Sequence, residues 1–273
     1  MEVIKLFKIG SIGAGHMGMA ILDSLIECGL EKPRNILVYE LAPERQRAAK
    51  TRSFAAAGSE IELYSNAERV MLAVPPQTAE VILGKLAKIC DRLQKKPVII
   101  NIMAGISSSY IKGYLGSDTP VITVMPSMGM KSGHGAAAIA HTEDVPDEDI
   151  SYIMKVFYAT GEAAIVDEPL LKEIVAVNGC MPGYVLYILE AFAREAETQG
   201  IDYNMALRMA ARGFIGAAMQ ILEGGTPKEM LARVCTPGGL TAAGIASFEN
   251  DKLAQLLGDG MANSTRRGYE LSK

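Results

Sequence analysis

The chain has 273 residues, of which 49% are apolar and 21% are charged, and its formal net charge is −4 with a pI near 5.6. This is globular composition, and the length suffices for one large or two ordinary domains. Because the sequence contains no clustered basic run, it argues against a nucleic-acid partner and favours a soluble protein with a small-molecule ligand.

The four cysteines and the hydropathy pattern bear on metal binding and location. Cys28, Cys90, Cys180 and Cys235 are widely spaced and lack both the C-x-x-C spacing and the neighbouring histidine pair of a zinc site. We therefore expect reduced, mostly buried thiols and no metal. No stretch reaches the roughly 18 apolar residues that a membrane span needs, so we expect no membrane association and a cytoplasmic location.

In the first half of the chain, short β-type runs alternate with helical patterns, which is typical of a parallel sheet covered by helices. Strands are predicted at Lys8–Ile12, Ile36–Tyr39, Val70–Val74, Val98–Asn101, Val121–Met125, Gly135–Ala140 and Ala163–Val166. Helices are predicted at Met17–Cys28, Pro43–Ala57, Thr78–Leu93 and Ser107–Leu115. The pattern predicts an α/β fold with an N-terminal Rossmann-type, doubly wound dinucleotide-binding domain over residues 1–167.

From Glu168 the β-type runs vanish, and the sequence predicts an all-helical domain over residues 168–273. Apolar residues recur there at helical spacing and give a wide buried stripe. Its helices are predicted at Pro182–Gln199, Asn204–Glu223, Pro227–Val234, Thr241–Leu257 and in the remainder of the chain. So much apolar surface on few helices favours burial against another subunit, and we expect a homo-oligomer.

A glycine pattern, G-x-G-x-x-G, directly follows the first predicted strand and opens the first helix. Such glycines allow a tight turn, approach of the backbone to a pyrophosphate and close helix–strand packing, while the helix N-terminus faces the phosphates. We predict that the pattern binds a dinucleotide through Gly13, Gly15, His16, Met17 and Gly18. His16 is interpreted as a polar contact near the phosphates rather than as an acid or base.

Glu40 ends the second predicted strand and lies about 20 residues beyond the glycines, at the spacing of a ribose-binding acid. We expect its carboxylate to bond the adenosine ribose hydroxyls, which favours NAD because a carboxylate repels a 2′-phosphate. Arg45 and Arg47 lie just downstream and either accommodate that phosphate or belong to a solvated helix turn. The sequence leaves NADH and NADPH open as the cofactor.

Two further loops, Ala73–Gln77 and Asn101–Gly105, follow strands at the same carboxyl edge and are placed to line a cofactor. Ordinary strand-to-helix turns are the alternative. From these loops we predict three cofactor-binding residues, Val74, Pro75 and Ala104. Asn66 is interpreted either as a helix cap or as an adenosine contact.

The segment T-P-G-G-L-T at Thr236–Thr241 interrupts a region that otherwise has a helical pattern. Each glycine would weaken a helix by about 1 kcal/mol relative to alanine, so the segment indicates a break. With Thr241 at the start of the next helical run, the break offers a helix N-terminus that can hold an anion beside a hydroxyl. The alternative for Thr241 is a plain N-cap.

The chain resembles the pyrroline-5-carboxylate reductases over essentially its whole length, on motifs in the family's order: the glycine loop, Ala73–Gln77, Ala104–Ile106, Met125–Ser127, Asn178–Tyr184 and Thr236–Thr241. The resemblance implies reduction of 1-pyrroline-5-carboxylate to L-proline by NADPH or NADH, the last step of proline biosynthesis. It also implies a homodimer or higher homo-oligomer built from the helical domains.

The resemblance further implies roles for individual residues. Thr241 is the catalytic residue, which meets the ring nitrogen of the substrate, and Glu168 is an acidic substrate contact. The substrate carboxylate is held by Gly238, Gly239 and Leu240 together with Thr236, which replaces the family's serine.

Two segments and one single residue depart from the family pattern. The family's S-G-S-G-P-A-Y is N-G-C-M-P-G-Y at Asn178–Tyr184, and its M-P-N-T-P is M-P-S-M-G at Met125–Gly129. The acidic residue that commonly precedes the family's S-P-G-G loop is replaced by Arg233. A reductase of another cyclic imino acid and a non-catalytic nucleotide-sensing protein therefore stay open as alternatives. A dehydrogenase of small 3-hydroxy acids is disfavoured, because Tyr184–Gln199 contains no lysine.

Overall fold

A computed structural model describes residues 6–271, in which strands and helices alternate before the chain becomes entirely helical. The strands are β1 (Ile9–Ile12), β2 (Ile36–Tyr39), β3 (Ala55–Ala56), β4 (Arg69–Leu72), β5 (Val98–Asn101), β6 (Val121–Pro126), β7 (Gly135–His141) and β8 (Gly161–Ile165). The helices are α1 (His16–Glu27), α2 (Pro43–Thr51), α3 (Glu60–Asn66), α4 (Ala79–Cys90), α5 (Ser108–Leu115), α6 (Asp147–Tyr158), α7 (Leu170–Asn178), α8 (Met181–Thr198), α9 (Tyr203–Leu222), α10 (Pro227–Val234), α11 (Leu240–Asn250) and α12 (Leu253–Leu271).

The strands form one sheet in the order β3-β2-β1-β4-β5-β6-β7-β8. Neighbours are parallel except for the antiparallel pair β6–β7. The strand order reverses between β1 and β4, where Ile12 lies opposite Leu72, so the loops after these strands leave the sheet side by side. This is the switch point at which doubly wound folds bind ligands. The predicted Rossmann-type fold is confirmed.

Both faces of the sheet are covered by helices. On one face, α1 and α6 pack through a cluster that includes Leu22 and Phe157. On the other face, α3, α4 and α5 pack through a cluster that includes Leu63, Leu86 and Ile111. Burial of one such side chain contributes about 1.5–3 kcal/mol. Because the strands are buried on both sides, they are continuous apolar runs, which made most of them predictable.

The predicted helix Pro43–Ala57 is too long, because α2 ends at Thr51. Ser53 adopts a left-handed conformation with φ +62°, which terminates the helix, and the following Phe54 is buried in the core. The chain then pairs with β2 as the two-residue strand β3. Neither β3 nor α3 is predicted from the sequence, because β3 has only two alanines and α3 only seven residues, and neither is long enough to show a clear hydrophobic period.

The chain forms two compact units. The first comprises the residues up to Gly179 together with those from Thr265 onward, and the second comprises Cys180–Ser264. Helix α7 belongs to the first unit, where its Leu171 is buried against Ala138 and Ala140 of β7. The predicted division into residues 1–167 and 168–273 stays a prediction.

Helices dominate the second unit, in which α8 and α9 pack together and Phe192 meets the rings of Phe214 and Phe248 edge-on. The predicted helix Thr241–Leu257 is two helices, because Lys252, with φ +55°, separates α11 from α12. Many large apolar side chains remain exposed, and an apolar groove of about 730 Å³ runs along α9 and α10. This unit by itself leaves its apolar stripe uncovered.

Among the described residues, one helical stretch, Leu170–Thr198, has the length and hydropathy of a membrane span. The expectation that no stretch is apolar enough is therefore wrong by this criterion. The stretch consists of two helices, α7 and α8, separated at Gly179 and Cys180, and Leu171 of α7 is buried on the sheet. The absence of a membrane partner stays a prediction.

All four cysteines are free thiols, and Cys90 is buried. Cys28, Cys180 and Cys235 are half-buried, so the expectation that most thiols are buried is wrong. Among residues 6–271, no group of three or more His, Cys, Asp or Glu side chains is arranged to hold a metal ion.

Replacement of Gly161 by alanine tests the packing of the sheet edge. Gly161 has φ +148°, and a Cβ at this position would lie 1.9 Å from the carbonyl oxygen of Gly135. We expect Gly161→Ala to lower the free energy of unfolding by more than about 2 kcal/mol, from strain and overpacking. Urea denaturation followed by circular dichroism measures the effect. Gly84→Ala is the control, because a Cβ there would meet nothing within 4 Å beyond its own helix turn; equal midpoints for the two variants would refute the assignment.

Candidate functional site

The loop after β1 is held against two neighbouring segments by its glycine. The N–H of Gly13 donates to the carbonyl oxygen of Tyr39 at 2.8 Å, and Ser11 Oγ donates to the carbonyl oxygen of Gly13 at 2.7 Å. Gly13 has φ +97°, and a Cβ would lie 2.4 Å from the carbonyl oxygen of Ala73. Glycine is therefore required at position 13 by the close approach of the loops after β1 and β4.

The second glycine leaves open space at the start of α1. Gly15 is the N-cap residue, and no side chain caps the helix. A Cβ on Gly15 would find its nearest neighbour, Arg45 Nη1, 4.0 Å away, so the protein's own packing does not exclude a side chain there. The uncapped N–H groups and the helix dipole face this space and suit a phosphate group. A dinucleotide pyrophosphate fits this arrangement.

The remaining residues of the motif lie in the first turn of α1. His16 is exposed, Met17 is half-buried and packs on the core, and Gly18 is buried. A Cβ on Gly18 would lie 2.8 Å from Cβ of Ala73, so this glycine permits close packing of helix and sheet. The structure thus brings all five predicted residues to one edge of the sheet.

Glu40, at the end of β2, binds three backbone N–H groups through its carboxylate. Oε2 accepts from Ala14 at 2.7 Å, and Oε1 accepts from Leu41 at 2.8 Å and from Ala42 at 2.9 Å. Burial alone would raise the pKa of the Glu40 carboxyl, but the three N–H donors and the nearby Arg45 guanidinium outweigh it and lower the pKa. The group is therefore an oriented anion beside the glycine loop.

The loops after β4 and β5 reach the same edge. Val74 Cγ1 would lie 2.9 Å from a Cβ on Gly13, and Pro75 follows directly. After β5, the buried side chain of Asn101 accepts from the N–H of Met103 at 3.0 Å and donates to the carbonyl oxygen of Ile106 at 2.8 Å, which leaves Ala104 exposed at the tip. The sequence analysis includes Asn101 in this loop but does not single it out, although a polar residue that ends a buried strand is a usable signal for a side chain that orders the loop.

Asn66 lies away from these loops. It ends α3, where its side-chain Nδ2 donates to the backbone carbonyl oxygen of Glu62 at 2.7 Å. Its own backbone carbonyl oxygen accepts from the N–H of Phe7 at 2.8 Å. Phe7 precedes β1, so Asn66 sits at the amino edge of the sheet, opposite the glycine loop. We therefore exclude Asn66 from the cofactor site, which corrects the adenosine interpretation.

Glu168 contacts the start of α5. Its Oε1 accepts from the N–H of Ser108 at 2.6 Å, and its Oε2 accepts from Ser108 Oγ. A carboxylate at this place accepts from an N–H group that has no partner within the helix, and it is stabilised by the positive end of the helix dipole. The half-buried Glu168 thus has a helix-capping role within the first unit, and its expected role as a substrate contact stays a prediction.

Asn178, at the end of α7, is one of the departures from the family pattern, and its side chain links strands β6 and β7. Its Nδ2 donates to the carbonyl oxygens of Met125 at 2.7 Å and of Ala136 at 2.9 Å. Ser127, after β6, exchanges two hydrogen bonds of 2.9 Å with the same Ala136, through its N–H and its Oγ. The departures at positions 127 and 178 are therefore parts of one hydrogen-bonded cluster.

In the second unit, the T-P-G-G-L-T segment separates α10 from α11. Gly238 has φ +74°, and the N–H of Gly239 donates to the carbonyl oxygen of Thr236 at 2.9 Å. Gly239 is the N-cap of α11, and no side chain caps this helix. Thr241 is thus the second helical residue and not the N-cap, which corrects the alternative interpretation. Its side chain is exposed, as is Leu240.

The comparison with known families agrees with this geometry. Residues 168–271 match the family model described as pyrroline-5-carboxylate reductase dimerisation. Residues 8–105 match the model described as NADP oxidoreductase, coenzyme F420-dependent. The second match covers β1 to β5 and therefore the glycine loop and Glu40.

Relatives that match over nearly the whole chain indicate the same family. The chain is 31% identical to the pyrroline-5-carboxylate reductase of Escherichia coli K12 over 268 residues, 97% of this chain and 98% of the relative. A pyrroline-5-carboxylate reductase structure from Coxiella burnetii matches with a TM-score of 0.89 and 26% identity, over 97% of this chain and 98% of that one. The Plasmodium falciparum pyrroline carboxylate reductase with NADP bound matches in fold, with a TM-score of 0.86, 20% identity and coverage of 99% and 100%.

Replacement of Asn178 tests the cluster at the end of α7. We expect Asn178→Ala to lower the free energy of unfolding by about 1–3 kcal/mol, because two strand carbonyls lose their shared donor. Asn178→Asp should be more destabilising at neutral pH, since a carboxylate would face two carbonyl oxygens. Its deficit should shrink in acid, where a protonated carboxyl can donate again. Urea titrations at both pH values measure this; wild-type midpoints for both variants would contradict the contact.

Proposed function

The chain belongs to the pyrroline-5-carboxylate reductase family, and we propose that it reduces 1-pyrroline-5-carboxylate to L-proline with NADH or NADPH, the last step of proline biosynthesis. The observation that carries the proposal is the second unit's T-P-G-G-L-T loop, which presents an uncapped helix N-terminus beside an exposed threonine hydroxyl. The first unit of the same chain carries a loop that fits a dinucleotide. We place the enzyme in the cytoplasm.

The cofactor would be held by residues at the carboxyl edge of β1, β2, β4 and β5. We propose that the α1 N-terminus binds the pyrophosphate and that Glu40 binds the adenosine ribose. The other predicted contacts are Gly13, Gly15, His16, Met17, Gly18, Val74, Pro75 and Ala104. When bound, the reduced nicotinamide would supply a hydride to the C=N carbon of the imine. The cofactor is thereby oxidised.

The substrate carboxylate suits the start of α11. An anion there gains from N–H groups that no side chain caps and from the helix dipole. Because the N–H of Gly239 already donates to Thr236, we assign the carboxylate to the N–H groups of Gly238 and Leu240 and to the hydroxyl of Thr236. Gly239 contributes by permitting the turn, since a Cβ there would lie 2.5 Å from Thr236 Oγ1.

Thr241 is the proposed catalytic residue. It occupies the first turn of α11, and its exposed hydroxyl can bond the ring nitrogen while the preceding residues hold the carboxylate. Hydride addition makes that nitrogen an amine, so an imine substrate must also take up one proton, whereas an iminium substrate already carries it. The task of the protein is to orient a small ring by its two polar ends.

The reaction itself is tested by oxidation of the reduced cofactor on addition of 1-pyrroline-5-carboxylate, with 1-pyrroline-2-carboxylate in parallel. Faster turnover of the 5-carboxylate supports the proposal. Faster turnover of the 2-carboxylate would identify a reductase of another cyclic imino acid, which the departures at positions 127 and 178 motivate. Cofactor binding without turnover of either imine would identify a nucleotide-sensing protein instead.

Replacement of Thr241 tests its role. We expect Thr241→Ala to lower kcat/KM for the imine about a hundredfold, because a donor aimed at the reacting group contributes about that much. The Kd of the reduced cofactor should stay at the wild-type value. Thr241→Ser keeps the hydroxyl and should retain activity within about tenfold. Wild-type kinetics in Thr241→Ala would reject the assignment.

The second unit is proposed to form the homodimer. Its large exposed apolar side chains include Leu186 and Tyr187 on α8 and Met209 on α9. Exposed apolar side chains concentrated on one unit mark a protein–protein contact surface, and the dimerisation family model covers these residues. A C2 interface would cover the same residues on both copies.

An aspartate on α8 tests this interface. Leu186 is 65% exposed, and we expect Leu186→Asp to raise the dimer dissociation constant at least about thirtyfold, since a buried charge replaces an apolar contact. The matched control is Val81→Asp on α4 of the first unit, where Val81 is 62% exposed. Analytical ultracentrifugation gives both constants. Dimers of unchanged affinity for Leu186→Asp would contradict this surface.

A further inference from the structure

We propose that the enzyme prefers NADH to NADPH, and that Glu40, rather than the arginines of α2, sets this preference. The inference rests on the proposed function in one respect, which is that the loop after β1 binds a nicotinamide dinucleotide. The inference is argued from this chain's own residues. The family alone does not imply it, because one matching family model is described as an NADP oxidoreductase.

The position of the Glu40 carboxylate is fixed by the backbone around it. The Ala14 donor belongs to the glycine loop, and the Leu41 and Ala42 donors belong to the turn before α2. The side chain is only 9% exposed. Rotating it away would break three hydrogen bonds at once, which resists displacement of the carboxylate by a ligand.

The carboxylate lies where the adenosine ribose is bound in doubly wound folds, at the carboxyl end of the strand next to β1. Oε1 accepts two N–H groups, whereas Oε2 accepts one, which leaves Oε2 able to accept a ribose hydroxyl as well. The 2′-hydroxyl of NADH can donate to it. The 2′-phosphate of NADPH has no such proton at neutral pH and brings a dianion against a fixed negative charge.

Arg45 is the cation best placed to offset that repulsion, but it is poorly suited to do so. Its guanidinium lies 3.8 Å from Glu40 Oε2, so its charge is already shared with this carboxylate. It is 49% exposed, and an exposed charge on a long side chain contributes little because water screens it. Arg47 is also exposed on α2. The buried, oriented carboxylate therefore outweighs the solvated arginines.

Binding titrations test the preference without turnover. The fluorescence of NADH and of NADPH, titrated with wild-type enzyme in the absence of imine, gives the two Kd values. We expect NADH to bind at least about tenfold more tightly. Competition by 5′-AMP and by adenosine 2′,5′-bisphosphate isolates the ribose site, and 5′-AMP should compete better. Equal affinities, or tighter NADPH binding, would overturn the inference.

Two variants assign the effect to a residue. Glu40→Gln keeps the size and one acceptor oxygen of the side chain, and it should reduce the preference for NADH at least about fivefold. Arg45→Ala is the matched control, and it should change the ratio of the two Kd values less than about threefold. A ratio that moves more in Arg45→Ala than in Glu40→Gln would transfer the role to Arg45 and refute the assignment to Glu40.

The test of cofactor preference and the test of the proposed reaction can fail independently of each other. Tighter NADH binding without reduction of either imine would leave the inference standing and reject the proposed reaction. Reduction of 1-pyrroline-5-carboxylate by an enzyme that binds NADPH more tightly would do the reverse. The wild-type titrations decide the preference even if the Glu40→Gln loop fails to fold.

Discussion

The cofactor site depends on the close approach of two backbone segments at the switch point of the sheet. The loop after β1 can touch the loop after β4 only because Gly13 has no Cβ, and α1 can lie against the same loop only because Gly18 has none. Ala73 is the partner in both contacts. Together they set the N-terminus of α1 at the sheet edge, so the space beside Gly15 is shaped by packing within the protein.

Glu40 joins this packing to the chemistry of the site. A charged side chain this little exposed is stable where donors surround it, and three N–H groups from the glycine loop and from the turn before α2 do so. The same bonds that order the loop hold a negative charge where we propose that the adenosine ribose binds. In this proposal cofactor preference and loop structure are coupled, because a substitution that removes the charge at position 40 also removes an acceptor from the loop.

The sequence predicts what depends on local periodicity. Apolar strands and the glycine motif were visible because both faces of the sheet are buried and because a tight turn requires glycine. The end of α2 was not, since Ser53 is not a residue that usually signals a left-handed turn, and the burial of Phe54 after it is a tertiary contact. Asn66 could not be placed either, because its position at the amino edge of the sheet follows from a backbone hydrogen bond to Phe7, which is distant in sequence.

The departures from the family pattern illustrate a further limit of reading motifs one at a time. Positions 127 and 178 are far apart in sequence, yet Asn178 donates to the carbonyl oxygen of Ala136, to which the N–H of Ser127 also donates. An amide side chain at position 178 can bridge two strand carbonyls, whereas a serine hydroxyl has a shorter reach and one proton. Because the two residues share one acceptor, the loop after β6 and the end of α7 form a single structural unit. A change in the loop sequence therefore has to be interpreted together with residue 178.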